Sequence, residues 1–284
     1  MIDRIGKWKI IPLQTGKFWL DGGAMMGSVP KVLWEKEHVP DSFNRIELGL
    51  RSLLLDDGER RIIIETGLGN KFDSSFSDMF CINQHESPID NALEEIGYSN
   101  TDITDVIITH LHFDHAGGAT KKIDNQIYPC FPNAIYTISK SNWNAATNPS
   151  PRDRASYLME NFQPLMEAGV VNLINDNTFI YDSIRSYSVN GHTGGQQLIL
   201  IEDEFNTLCF CSDLIPLQSH LRLPWIMGYD LNAELTLKEK KKFLDLASDN
   251  RWLLYFYHDP KYIAVRISKG IKYYDTIEEY IEQN

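Results

Sequence analysis

The chain has 284 residues, 43% hydrophobic, 23% charged and 11% aromatic, with a formal net charge of −12. That composition is ordinary for a globular protein and long enough to bury a core without disulfides. The acidic balance argues against a nucleic-acid binder, because phosphate backbones are held by clustered Lys and Arg. The one basic run, Lys238 to Lys242, reads as a solvated helix face. Cys81, Cys130, Cys209 and Cys211 have no metal-finger spacing, and the Cys209/Cys211 pair reads as small core residues on one face of a strand. The N-terminus, MIDRIGKWKIIPL, lacks an apolar core long enough for a signal peptide. No stretch approaches the ~20 apolar residues of a membrane span. A cytoplasmic protein without membrane or nucleic-acid partners is expected.

In chain order, Lys9–Leu13 and Lys17–Leu20 read as short strands, and Ile46–Leu55 and Arg60–Thr66 as a hairpin turning at Asp57-Gly58. Ser87-Pro88 opens a helix, with Ser87 as N-cap and Ala92, Leu93 and Ile96 as its apolar stripe before Gly97. Asp105–Thr109 is a buried strand, followed by a strand at Ala134–Ile138, a helix near Ser139–Ala146 and a longer helix near Arg152–Ala168. Strands follow at Val170–Ile174, Ser186–Val189, Gln196–Ile201 and Thr207–Ser212. A helix at Ala233–Ala247 leads to the strand Trp252–Tyr257, then two short strands and a final helix from about Thr276. This order fits an α/β architecture of two mixed sheets packed face to face with helices outside, a four-layer αβ/βα sandwich, in one domain spanning 1–284. Two segments, Asp21–Asn44 and Leu214–Asn232, read as long loops unusually rich in apolar residues. Met25, Met26, Trp34, Leu221, Leu223, Trp225 and Met227 there either line a pocket or pack as loop over core.

The chemistry is concentrated in residues 109–118, THLHFDHAGG. His110, His112, Asp114 and His115 fall directly after a buried strand, whose alternation would put His110 and His112 on one side. Ala116-Gly117-Gly118 then permits a tight bend and a close backbone approach. Imidazoles with a carboxylate suit a borderline cation such as Zn²⁺, and such a cluster is costly to bury without one.

This segment resembles the His-x-His-x-Asp-His motif of the metallo-β-lactamase superfamily. The resemblance extends over most of the chain: His192 in NGHTGGQ, Asp213 in FCSDL and His258 in YFYHDP each stand where a strand gives way to a loop. It implies the metallo-β-lactamase fold and two Zn²⁺ ions, with Mn, Fe or Co as alternatives. His110, His112 and His192 would hold one ion, Asp114, His115 and His258 the other, and Asp213 would bridge them. His112 in place of a Glu favours zinc over the di-iron oxidoreductase branch. Where the family commonly has Asp-Thr-Gly, this chain has Glu65-Thr66-Gly67, and Glu65 is expected to buttress the metal loop.

Two metals sharing a hydroxide supply a nucleophile at neutral pH for an ester-like bond, with Asp114 carrying the proton to the leaving group. The stretches FWLDGGAMMGSVPKVLW and CSDLIPLQSHLRLPWIMGYD resemble the N-acyl homoserine lactonase-like, quorum-quenching branch. A lactone with an apolar acyl chain is therefore the expected small-molecule substrate, along Met25, Met26, Trp34 and Trp225. An organophosphate hydrolase with the same metals and a mononuclear-iron oxidoreductase are the competing readings. Small lactonases place a substrate-contacting Tyr three residues after the bridging Asp. Pro216 stands there, and Tyr229 is the candidate substitute. His220 either lines the pocket or is a satisfied loop histidine, and Asp230 and Asp259 either orient ligand imidazoles or cap turns. No basic residue is expected near the ligands, and homodimerisation is compatible with the sequence.

Overall fold

The computed structural model describes residues 2–82, 88–271 and 273–282. The first sheet begins with β1 (Arg4–Ile5), β2 (Trp8–Asp21), β3 (Arg45–Asp56), β4 (Arg61–Ile64) and β5 (Asp105–Ile108). After a small separate hairpin, β6 (Thr120–Ile123) and β7 (Gln126–Pro129), it is completed by β8 (Ile135–Ser139) and β9 (Val171–Ile174). The second sheet runs in sequence order: β10 (Phe179–Tyr181), β11 (Ile184–Val189), β12 (Gln196–Glu202), β13 (Thr207–Phe210), β14 (Leu253–Tyr255), β15 (Tyr262–Lys269) and β16 (Tyr274–Ile281). Both sheets are mixed: β4, β5, β8 and β9 pair in parallel, as do β13 and β14, and the other neighbours are antiparallel.

The continuous apolar runs explain the layering. Side chains alternate across a strand, so a strand apolar at every position must be covered on both faces. Leu53 and Leu55 of β3, Ile62 and Ile64 of β4 and Ile107 of β5 enter one core together with Ile199, Ile201, Leu208 and Phe210 of the second sheet. Their neighbours Leu54, Ile63, Val106 and Ile108 point the other way. That outer face is covered by Ile89, Ala92 and Leu93, by Ala146 and by Leu165. The outer face of the second sheet, including Cys209 and Cys211, packs against Phe243, Leu244 and Ala247. The result is the four-layer αβ/βα sandwich, and burying each such side chain stabilises it by about 1.5–3 kcal/mol.

The helices are α1 (Gly22–Met26), α2 (Lys31–Trp34), α3 (Ser74–Phe80), α4 (Pro88–Glu95), α5 (Phe113–Ala116), α6 (Lys140–Thr147), α7 (Gln163–Glu167) and α8 (Ala233–Asp249). None among the described residues is long and apolar enough to cross a membrane. The expected Ser87 cap lies outside the described residues.

Several expectations are corrected. The final helix from Thr276 is the strand β16, whose half-buried and exposed positions alternate and which pairs with β15. Its Thr, Ile and Tyr content suits a pleated surface. The long helix Arg152–Ala168 is broken into turns at Arg154–Ser156 and Met159–Asn161 and the short α7. Tyr157 and Phe162 must both turn inward, and Pro164 sits in the first turn of α7, where its missing N–H is harmless. The two opening strands are one 14-residue strand, β2, with a register shift between Gln14 and Lys17. Gly16, at φ 111°, supplies the backbone conformation for it. The segment Asp21–Asn44 carries α1 and α2, and α3, β6, β7 and β10 were not foreseen. The basic run on α8 is not wholly solvated: Lys240 is fully buried.

Candidate metal centre

Parallel pairing brings the chemistry to one edge. β4 and β5 end side by side in the first sheet, β13 and β14 in the second, and the loops after them carry Glu65, His110–His115, Asp213 and His258. The loop after β11 adds His192. β5 stops at Ile108, so His110 and His112 lie in the connection to α5 rather than on the strand, and they are brought together by a turn. Gly117 and Gly118 are needed for close approach: a Cβ would stand 2.0 Å from the Leu68 carbonyl oxygen at Gly117 and 2.1 Å from that of Thr66 at Gly118.

All seven side chains are buried, in two groups. In the first, Nδ1 of His112 lies 3.1 Å from Nε2 of His110 and 3.2 Å from Nε2 of His192. In the second, Nε2 of His115 and of His258 lie 3.3 Å apart, and 3.7 and 3.5 Å from Asp114 Oδ2. Asp213 stands between the groups. Its Oδ2 is 3.3 Å from His192 and 3.8 Å from His110, while its Oδ1 is 3.3 Å from both His115 and His258.

The outer nitrogens decide what the inner ones present. His192 Nδ1 is 2.9 Å from Asp230 Oδ1, and His258 Nδ1 is 3.0 Å from the Gly49 carbonyl oxygen. His115 Nδ1 is 3.3 Å from Glu65 Oε2. The Asp230 carboxylate and the Gly49 carbonyl are acceptors, so His192 and His258 carry a hydrogen on Nδ1 and direct Nε2 inward. Nε2 of His115, Nε2 of His258 and Asp213 Oδ1 converge within 3.3 Å of one another, and Asp213 Oδ1 has no hydrogen-bond partner. A divalent cation satisfies such a set, and nitrogen with carboxylate oxygen is a donor set Zn²⁺ accepts. The residues fit two metals.

Electrostatics divide the set: burial would lower His115 and His192, but Asp213, Asp114 and Glu65 hold His115 well above the ordinary histidine range and Asp230 and Asp213 hold His192 above it, so a cation takes the place of protons there. Burial, followed by the neighbouring imidazoles, holds His110 and His112 well below the ordinary histidine range. Burial would raise the Asp213 carboxyl, but His115 and His258 hold it well below the usual carboxylate range. A deprotonated donor set is the one a cation requires.

Glu65 is fully buried in a left-handed conformation, φ 66°, that a non-glycine residue adopts only under constraint. Its Oε1 accepts the Thr109 amide at 2.9 Å, and the backbone N–H and hydroxyl of Thr66 both donate to the His115 carbonyl. The Glu-Thr-Gly segment thus reaches the metal loop from behind.

The metallo-beta-lactamase superfamily model matches residues 49–258. The chain belongs to that superfamily. It is 26% identical over 250 residues to an N-acyl homoserine lactonase of Bacillus cereus, an alignment covering 84% of this chain and 89% of that protein. A probable metal-dependent hydrolase from Staphylococcus aureus superposes with a TM-score of 0.90 at 27% identity, over 99% of both chains. AidC, a dizinc quorum-quenching lactonase, shares the fold at 20% identity, with a TM-score of 0.81 over 99% of this chain and 97% of its own.

In this superfamily member five of the seven clustered side chains, His112, Asp114, His192, Asp213 and His258, line a cavity of about 580 Å³, and His110 and His115 do not. Met25 and Tyr229 line it; Met26, Trp34, His220 and Trp225 do not. Trp34 is buried beneath Gly22, where a Cβ would stand 2.6 Å from its ring, and Met26 is equally buried. His220 turns inward to the Met25 carbonyl at 3.1 Å, and Trp225 stacks under the Arg222 guanidinium at 4.6 Å. For these four, loop packs over core. His38 pairs with Ser219 at 2.9 Å. Asp230 holds an imidazole, whereas Asp259 caps its own turn by accepting the Gln218, Lys261 and Tyr262 amides.

The apolar wall comes instead from Phe76, Met79 and Phe80 of α3 with Phe113 of α5. The ring of Phe113 lies 5.2 Å from that of Phe76 and 5.4 Å from that of Phe80. Phe72, Phe76 and Phe80 recur every four residues, a helical stripe legible in the sequence. One basic residue, Arg152, also reaches the cavity, contrary to expectation, and its guanidinium donates to the Gly228 carbonyl across the mouth.

Proposed function

We propose that this chain is a dinuclear metal-dependent hydrolase of ester-like bonds, with a lactone bearing an apolar chain as its substrate. The observation that carries the reading is the placement of Asp213 between two buried imidazole groups, at the floor of a cavity with an apolar wall. His110, His112 and His192 would hold one ion, Asp114, His115 and His258 the other, with Asp213 shared. When bound, two divalent ions lower the pKa of a water held between them and polarise a carbonyl.

The chain's own residues do the rest. Asp114, on the cavity wall, takes the proton released at the attacking oxygen and delivers it to the leaving alkoxide, which in a lactone stays tethered to the acyl product. Tyr229, 38% exposed at the same wall, supplies a hydroxyl donor. Phe76, Met79, Phe80 and Phe113 seat the chain and exclude water, while Met25 and Met227 adapt to it. The lactonase named among the relatives supports this choice of substrate.

The test pairs elemental analysis of protein purified without chelators with a substrate panel. Two zincs per chain, and lactone opening by proton release that quickens with acyl length, are the expected results. One iron without zinc sinks the dinuclear reading. Poor lactone turnover beside brisk phosphotriester cleavage hands the site to the organophosphate alternative.

A further inference from the structure

Arg51 is a fully buried arginine far along β3 from any expected function, and its guanidinium fills the turn that carries His258. At residues 53–56 β3 is paired with β4, but β4 does not extend opposite Gly49 and Arg51. Their backbone groups on that side face the β14–β15 connection instead. The Gly49 amide donates to the His258 carbonyl at 2.8 Å, the Arg51 amide donates to the Tyr257 carbonyl at 3.0 Å, and the Gly49 carbonyl accepts His258 Nδ1. Arg51 Nη1 lies 2.8 Å from the Asp259 carbonyl oxygen and 3.2 Å from those of Phe256 and Tyr262. One nitrogen thus gathers carbonyls from both sides of the histidine. Nη2 is paired with the Glu282 carboxylate, just past the end of β16.

A buried guanidinium is costly unless neutralised and hydrogen-bonded, and its planar fork holds its acceptors in fixed directions. We infer that Arg51, neutralised by Glu282, is a positioning residue that fixes the His258 turn and so sets the affinity of the second metal position alone. This rests on the dinuclear reading proposed above. His110, His112 and His192 are held by other loops and make none of these contacts. The inference links β16, the outermost strand of the second sheet, to one half of the metal site.

The experiment titrates chelator-stripped protein with Co²⁺, reading calorimetry and the visible absorption of the bound ion, for wild type, His258→Ala, Arg51→Met and Glu282→Gln. Wild type should bind two ions in resolvable steps, and the step that His258→Ala abolishes is the one belonging to the second position, here called the second step. Arg51→Met should leave the first step unchanged and weaken the second by about tenfold or more, the cost typical of losing support behind a ligand. Glu282→Gln, which leaves the carbonyl contacts in place, should weaken the second step by a smaller factor. Should Arg51→Met fail to fold by circular dichroism, Glu282→Gln decides alone. Variants whose second step matches wild type, or whose two steps weaken equally, overturn the role of Arg51. A wild-type chain that binds one ion overturns the dinuclear reading itself, a result distinct from two-ion binding with indifferent variants.

Discussion

Asp230 Oδ1 stands 2.9 Å behind Nδ1 of His192, and both residues are buried. The same short segment presents Met227 and Tyr229 to the cavity, and the backbone N–H of Leu231 donates to the His192 carbonyl at 3.1 Å. The loop that shapes the cavity therefore also grips a candidate metal ligand. Changes in that loop should be felt at both.

Asp230→Ala removes the carboxylate that fixes the His192 tautomer. Metal affinity should fall by about 10–100-fold, as is typical of such partners. Asp230→Asn, which still accepts a hydrogen bond, should lose less. Competition with a chromophoric chelator measures both, and unchanged affinity in Asp230→Ala refutes the assignment.

Lys240 is the anchor of that loop. Its ammonium, inside α8, donates to the carbonyls of His220 at 3.0 Å and Arg222 at 3.2 Å and to that of Trp225. Lys240→Met fills similar volume but strands three acceptors, and should cost at least 1–3 kcal/mol, the penalty for one orphaned buried polar group. A lower midpoint in urea checks the stability. A higher KM with a smaller change in kcat would report the loosened cavity wall.

Burial holds His220 down to about 3, with Lys240 the next cause. Above pH 6.5 the residue is neutral in both folded and unfolded chains. As pH falls from 6.5 towards 3 the unfolded chain takes up a proton that the folded chain refuses. Stability is thus lost in that window by up to about 1.4 kcal/mol per pH unit. His220→Gln should flatten this part of a plot of unfolding free energy against pH, and an unaltered slope would show that the histidine is not the cause.

The acyl wall and the buried tryptophan are separable. Phe80→Ala should flatten the rise in kcat/KM with acyl length, because each buried CH₂ contributes at most ~0.8 kcal/mol, roughly fourfold. Trp34→Ala should instead cost about 3–5 kcal/mol of stability as a cavity mutation and leave the chain-length slope intact. A homologous lactone series with urea melts distinguishes the two.

Much was legible in the sequence because it is written in local patterns. Runs such as Leu53-Leu54-Leu55 and Ile62-Ile63-Ile64, apolar at successive positions, require cover on both faces and hence a layered sandwich. His110, His112, Asp114 and His115 are close in space because they are close in sequence, and the later candidate ligands His192, Asp213 and His258 stand near visible strand ends. Where local pattern is ambiguous, tertiary pairing decides. Thr276 onward suits a strand only once β15 offers a partner, and residues 152–168 could not be told from a helix until Tyr157 and Phe162 had a core to enter. The cavity wall depended entirely on tertiary structure. Apolar loop residues are equally suited to a pocket or to a core, and packing sent Trp34 and Met26 inward while α3 turned Phe76 and Phe80 to the site. Lys240 and Arg51 were invisible for the same reason. A buried cation is stable only where distant carbonyls converge on it, and no local sequence pattern encodes that convergence.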